Sequence, residues 1–188
     1  MVKLFRRPTL AATPTEGVIM PLSMYQAAIP PLLRGLANLS AILDKALLNA
    51  ESRHVDAAVL LQARLAPDMF PLIRQVQIAA DTAKGCGARL AGVEVPSYPD
   101  TETSVAELQQ RIAKTVLFLQ GLPAAQFDGS EGRDIVLKFP KQTLNFTGQD
   151  YLQFFVLPNF YFHLTTAYDI LRHNGVPLGK ADYLGGGG

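Results

Sequence analysis

PNFYFHLTTAYDILRHNG, residues 158–175, reads as one amphipathic helix carrying two histidines, His163 and His173. At ~100° per residue, Val156, Phe160, Ala167, Ile170 and Leu171 share one broad apolar arc, with His163 near its middle and Asn159 at its edge. His173 falls roughly 80° round from His163 and about 15 Å along the axis, so the two cannot hold one metal ion between them. Followed by Asn174, Gly175 and Pro177, His173 reads as a last-turn cap or a partner of the helix dipole. The spacing predicts a helix over 149–173 with a histidine facing the core.

Three further helical runs precede it. Over residues 22–48, Tyr25, Ile29, Leu32, Leu36, Leu39, Leu43 and Leu47 recur at three- and four-residue steps, and Pro30 and Pro31 predict a kink or a short separate first turn. Over 56–84 the stripe is Leu61, Leu65, Met69, Leu72, Val76, Ala79 and Ala83, bent but not broken by Pro67 and Pro71. Gly85 and Gly87, either side of Cys86, are expected to end that helix. Ser104 and Glu107 form a capping box ahead of a third stripe, Val105, Leu108, Ile112, Val116 and Leu119, which Gly121 and Pro123 close.

Between the third and fourth helices, IVLKF (135–139) and TLNF (143–146) flank PKQ and predict a two-stranded hairpin. Such a hairpin must pack on another element to be stable. The pattern gives a mainly α fold, a four-helix bundle with a small β-hairpin between helices three and four. Residues 20–185 are expected to form one domain and 186–188 a flexible glycine tail.

Composition narrows the function classes. The 188 residues are 48% hydrophobic and 18% charged, enough apolar material for a sizeable core. The net charge of +1 is spread along the chain, which argues against nucleic acid as a partner. The most apolar stretch, 151–164, is interrupted by Gln153, Pro158, Asn159 and His163 and falls short of the ~20 apolar residues of a membrane helix. Cys86 is the only cysteine, so there is neither an internal disulfide nor a cysteine metal cluster, and a cytoplasmic setting is expected. Residues 1–19 carry Lys3, Arg6 and Arg7 against Glu16. They read as a disordered extension that starts at Met1, or as sequence upstream of a natural start at Met20, with a targeting segment as the alternative.

On the second helix, Asp68 and Gln75 flank the apolar arc. Packing of helices two and four can then bring Asp68, Gln75, Asn159 and His163 into one inner polar patch, with Tyr25 and Tyr168 as additions. Such a patch is either a satisfied hydrogen-bond network or a site in which His163 acts as base, oriented by Asp68, while Asn159, Gln75, Tyr25 and Tyr168 bind a small ligand. Cys86 has nothing local to lower its pKa and reads as a bystander. GVPLGKA (175–181) fails as a phosphate loop because its glycine spacing is one residue short and Ala181 stands where Ser or Thr is needed.

Residues 63–96 and 157–185 resemble a family described only as a domain of unknown function and grouped with the DinB/YfiT-like metalloenzyme superfamily. The resemblance covers residues 20–185 and implies the same four-helix bundle. It also implies three metal-binding histidines, one near helix two and two spaced four apart on the last helix. His163 matches the first of that pair, but Ala167 stands at the second, and His54, the one histidine near helix two, sits among Arg53, Val55 and Asp56 at a helix entry.

Two function classes follow. One is a metal-free binding protein whose inner patch is structural or holds a small ligand. The alternative is a metal-dependent hydrolase or thiol transferase using His163 with Asp68, its metal being zinc or nickel. A water-accessible cavity reaching His163 would favour the second. The resemblance also implies pairing as a homodimer.

Overall fold

A computed structural model of the chain describes residues 22–186; the expectations for 1–19 and for the last two glycines lie outside these residues. Helix α1 (Met24–Ser52) opens on a reciprocal capping box between Ser23 and Gln26. It runs unbroken through Pro30 and Pro31, so the short separate first turn, one of the two outcomes expected there, does not form. The two missing N–H groups remove bonds to the carbonyls of Gln26 and Ala27, and Gln26 is exposed, so water can replace one of them.

The second predicted helix is where the structure departs most. It is two helices, α2 (Ala57–Gln62) and α3 (Leu72–Ala91), joined by the extended and turn residues 63–71. Pro67 and Pro71 lack the N–H a continuing helix needs and push the residues before them out of helical dihedrals. Pro71 becomes the N-cap of α3, and the Leu72 amide reaches back to the Ala63 carbonyl at 2.9 Å. Leu65, placed in the stripe by sequence, is exposed.

At its other end α3 does not stop at Gly85. It continues to Ala91 and is closed by Gly92 in the left-handed region at φ 72°. Gly85 and Gly87 are interior helical residues, and a Cβ on Gly87 would lie 2.5 Å from Leu119 and 2.9 Å from Leu122. Cys86 is thus a buried helical residue, and burial pushes its thiol up to about 12. That leaves it inert.

Helix α4 (Val105–Gln120) begins at the expected Ser104–Glu107 capping box and ends at Gly121. Two 3₁₀ turns, Ala124–Phe127 and Ser130–Gly132, lead to β1 (Asp134–Phe139), which pairs antiparallel with β2 (Gln142–Thr147), Ile135 opposite Phe146 and Leu137 opposite Leu144. Ile135 and Leu137 are buried, and Phe146 packs on Tyr151 and Phe155 at 6.1 and 5.7 Å between ring centroids, so the hairpin rests on the last helix. That helix is α5 (Gly148–Asp150), a π-helical segment (Tyr151–Val156) and α6 (Leu157–His173) in unbroken succession. The π turns stand just ahead of Pro158, where the α-ladder loses a donor.

α3 packs along α6 on one side and α4 on another, and α1 lies against all three. The mainly α fold with a small hairpin between the third and fourth long helices is the one expected. Past Pro177 the chain makes a short helix, α7 (Lys180–Leu184), where the sequence offered only a failed phosphate loop. α7 lies on α1: Asn38 donates to the Tyr183 carbonyl at 2.9 Å, Arg34 to that of Leu184 at 2.7 Å, and Lys45 pairs with Asp182 at 2.5 Å. No helix among the described residues is long and apolar enough to cross a membrane.

Gly148 fixes the hairpin to the bundle, because any Cβ there would fall on the carbonyl oxygen of Ser130. At Gly35 a Cβ would meet the Phe160 ring at 2.5 Å, and a ring can move where a backbone cannot. Gly35→Ala is expected to lower stability by about 1–3 kcal/mol, the usual range of overpacking, and Gly148→Ala by at least the top of that range. Urea midpoints measure both, and a Gly148→Ala protein as stable as wild type would contradict the contact.

Candidate functional site

Gln75, Thr82 and Arg89 follow one another at seven-residue intervals on α3, two helical turns apart and therefore on one side. Each meets a polar group on the last helix. His163 Nδ1 lies 2.7 Å from Gln75 Oε1, Asn159 Nδ2 donates to Thr82 Oγ1 at 2.8 Å, and Arg89 donates to the Tyr151 hydroxyl at 3.0 Å. As the α3 number rises its partner's falls, so the helices run antiparallel and the three pairs form one seam along their contact.

The first pair has a defined proton. The Gln75 amide nitrogen donates to the Phe70 carbonyl at 2.9 Å, which turns its oxygen toward His163. His163 therefore carries its hydrogen on Nδ1 and donates it. Its Nε2 has no protein partner among the described residues. His163 is 7% exposed, and burial, aided by the Arg74 charge, holds its pKa below the ordinary histidine value. The imidazole is neutral at pH 7.

At the other end Tyr151 is buried, and its hydroxyl is pushed up to about 12, the burial outweighing Arg89. It stays protonated. Beside it a cleft of about 250 Å³ opens between α3, β1 and the π segment. Asn159 and Arg89 line this cleft; His163 does not. The water-accessible cavity that would have favoured an enzyme is thus one helical turn from the histidine.

Of the residues read as a site, the structure joins Gln75 to His163 and sets Asn159 beside them. It does not bring the others there. Asp68 sits in the turn that interrupts the predicted second helix, exposed and without a bond to His163. Its projection onto a flank of the arc assumed a continuous helix, and Pro67 removes that continuity. Tyr25 packs edge-on against Phe127 at 5.3 Å and Tyr168 against Tyr183 at 5.9 Å, both away from the patch. His54 is exposed just past α1, with φ 55°. His173 is exposed at the end of α6, and it is the Asn174 side chain that caps the Ile170 carbonyl, at 2.7 Å.

A metal of the kind the superfamily implies does not fit these residues. Ala167, one turn beyond His163, is buried and has no donor atom. Among the described residues no three His, Cys, Asp or Glu side chains form a group that could hold a metal. One imidazole nitrogen is not a divalent-ion site, which normally needs three or more protein ligands.

Sequence reasoning missed a second polar cluster. Arg111 of α4 is buried, donates to Glu102 at 2.8 Å and lies 2.9 Å from both Asp81 and Asp100. Lys84 also pairs with Asp81 at 2.8 Å, and Gln77 donates to Glu102 at 2.8 Å. Burial alone would raise the Glu102 carboxyl, but bonds from Arg111 and Gln77 hold it below the usual range. The Tyr98 ring lies against the Lys84 and Lys114 ammonium groups at 4.0 and 4.1 Å. These contacts clasp residues 93–104 onto α3 and α4. The signal was available: Arg111 stands three residues after Leu108 and one before Ile112, on the apolar stripe itself.

A family model described as domain of unknown function (DUF1993) matches residues 24–184. The chain is also similar to the crystal structure of a DinB family member protein from Shewanella denitrificans, at 48% identity and a TM-score of 0.80, over 87% of this chain and 92% of that one. No curated protein matches the chain.

The neutral His163 has a thermodynamic consequence. Its pKa is lower in the fold than in the unfolded chain, so the unfolded chain binds more protons below about pH 6.5. Stability is therefore full above that pH and falls as pH drops toward the folded value. Urea midpoints for wild type and His163→Gln across this window should diverge, wild type losing more on acidification. His163→Ala leaves the buried Gln75 oxygen without its donor and is expected to lower stability by about 1–3 kcal/mol at neutral pH.

Proposed function

The chain belongs to the DUF1993 family of DinB-like helical proteins, and from that premise we propose that it is a binding protein that works without a metal, its inner histidine being part of a structural seam. The observation that carries this reading is the Phe70–Gln75–His163 chain of hydrogen bonds, which commits Nδ1 and fixes the ring. A general base would need a carboxylate or a substrate within reach, and Asp68 lies in the exposed turn between α2 and α3. Polar pairs of this kind favour one register between helices, since a shift leaves buried groups unpaired.

Elemental analysis of protein incubated with zinc, nickel or manganese and then desalted tests the reading. The expected result is far less than one metal ion per chain, in wild type and His163→Ala alike. A stoichiometric ion lost in the variant would overturn it.

A second reading, compatible with the first, is a homodimer formed on the outward side of the last helix. Its exposed positions Phe154, Pro158 and Phe162 recur at four-residue steps with Tyr161 beside them, and Phe154 and Phe162 are 71% and 57% exposed. A contiguous apolar helix face of this kind favours a partner. Light scattering is expected to give twice the mass of the chain, and Phe154→Glu with Phe162→Glu is expected to halve it without loss of helicity. A monomeric wild type at high micromolar concentration would contradict this reading.

A further inference from the structure

We infer that the cleft between α3, the hairpin and the π segment is a binding site for a small aromatic carboxylate, with Arg89 and Tyr151 holding the carboxylate and Phe155 and Phe139 flanking the ring. The inference rests on the reading of the chain as a binding protein, and it names where the ligand sits and what kind it is.

Arg89 is half-buried, and among the described residues its one bond is to the neutral Tyr151 hydroxyl. The interior arginine beyond it, Arg111, is matched by Asp81, Asp100 and Glu102. Among the described residues Arg89 has no acidic partner, and its remaining N–H groups have no acceptor. A planar guanidinium with paired donors to spare suits a carboxylate. Tyr151 accepts from Arg89 but keeps its own proton, for which the described residues supply no acceptor. It can donate to the same anion.

Lys138 of β1 adds a second cation to the wall and makes no ion pair among the described residues. The one acidic residue lining the cleft, Asp81, is already paired with Lys84 at 2.8 Å and with Arg111 at 2.9 Å. The anion-binding end is therefore the Arg89 end.

Thr82 and Asn159, bonded to each other, also line the cleft, and its aromatic side is Phe139 with Phe155. Phe155 stacks on Tyr151 with centroids 5.8 Å apart and 17° between planes, and Phe139 packs on Phe155 at 6.5 Å. Flat aromatic walls accept a flat ring. About 250 Å³ is room for one small ring with a carboxylate, and it lies below the ~300–1,000 Å³ of most ligand pockets. The π turns also fit this role, since such widened turns recur at functional sites.

Titration of the full chain with benzoate, followed by the amide resonances of Phe139, Tyr151 and Phe155, tests the site. Saturable shifts at millimolar benzoate are expected, with benzyl alcohol, which lacks the charge, binding at least tenfold more weakly. Inorganic phosphate, which lacks the ring, should do likewise. Arg89→Gln should weaken benzoate at least tenfold. Because Arg89 also supports Tyr151, Lys138→Gln on the exposed strand is the second variant; it should weaken benzoate severalfold and leave benzyl alcohol unchanged. The absence of saturable shifts, equal binding of benzyl alcohol or of phosphate, or an undiminished affinity in Lys138→Gln would each overturn the inference. A metal found at His163 would undo the metal-free reading and leave this titration unaffected.

Discussion

The close packing of α3 against the last helix is the constraint on which the other contacts depend. Ala79, Ala80, Ala83, Gly87 and Ala88 give α3 little side-chain bulk, so neighbouring helices approach it from several sides. Dispersion and burial hold such a contact but choose its register poorly, because small residues look alike one turn along. The pairs of Gln75 with His163, Thr82 with Asn159 and Arg89 with Tyr151 supply the choice. Each contributes only about 1 kcal/mol net when made, but a slip would orphan buried groups at roughly 1–3 kcal/mol apiece. α1 and α4 pack against a helix already fixed in this way, and the hairpin follows because β2 runs directly into α5.

The same seam explains why a histidine persists in the core without a metal set around it. A metal-ligating histidine commonly has one nitrogen on the ion and the other fixed by a second group. Gln75 supplies that fixing contact here, but Ala167 ends the resemblance one turn later. The polar resources not consumed by packing lie further along, at Arg89, Tyr151 and Lys138, where a cleft is open.

Much of this was legible in the sequence, and what was not has identifiable physical causes. The inward His163, the edge position of Asn159, the Ser104–Glu107 cap and the existence of the hairpin all follow from local periodicity or local turn chemistry. The break at residues 63–71 was misread because an apolar stripe persisted across two prolines, and with it Asp68 was carried into the core. Gly85 and Gly87 were misread in the opposite direction. Gly87 lets Leu119 and Leu122 approach, and Gly85 leaves room for the Arg89 side chain, which only the folded structure reveals. Thr82 and Arg89 were findable by stepping seven residues on from Gln75, whereas the clasp on Arg111 required knowing that residues 93–104 fold back over α4. The short helix α7 depends on Arg34, Asn38 and Lys45 of α1, far away in sequence.

The central claim is that His163 is a fixed, neutral hydrogen-bond donor of the seam. Long-range proton–nitrogen correlation of the histidine imidazoles reads this directly. The expected spectrum at pH 7 has His163 protonated at Nδ1 and bare at Nε2, unchanged by added zinc and altered by Gln75→Leu. Protonation at Nε2 instead, or an Nε2 resonance that shifts stoichiometrically with zinc, would contradict the account.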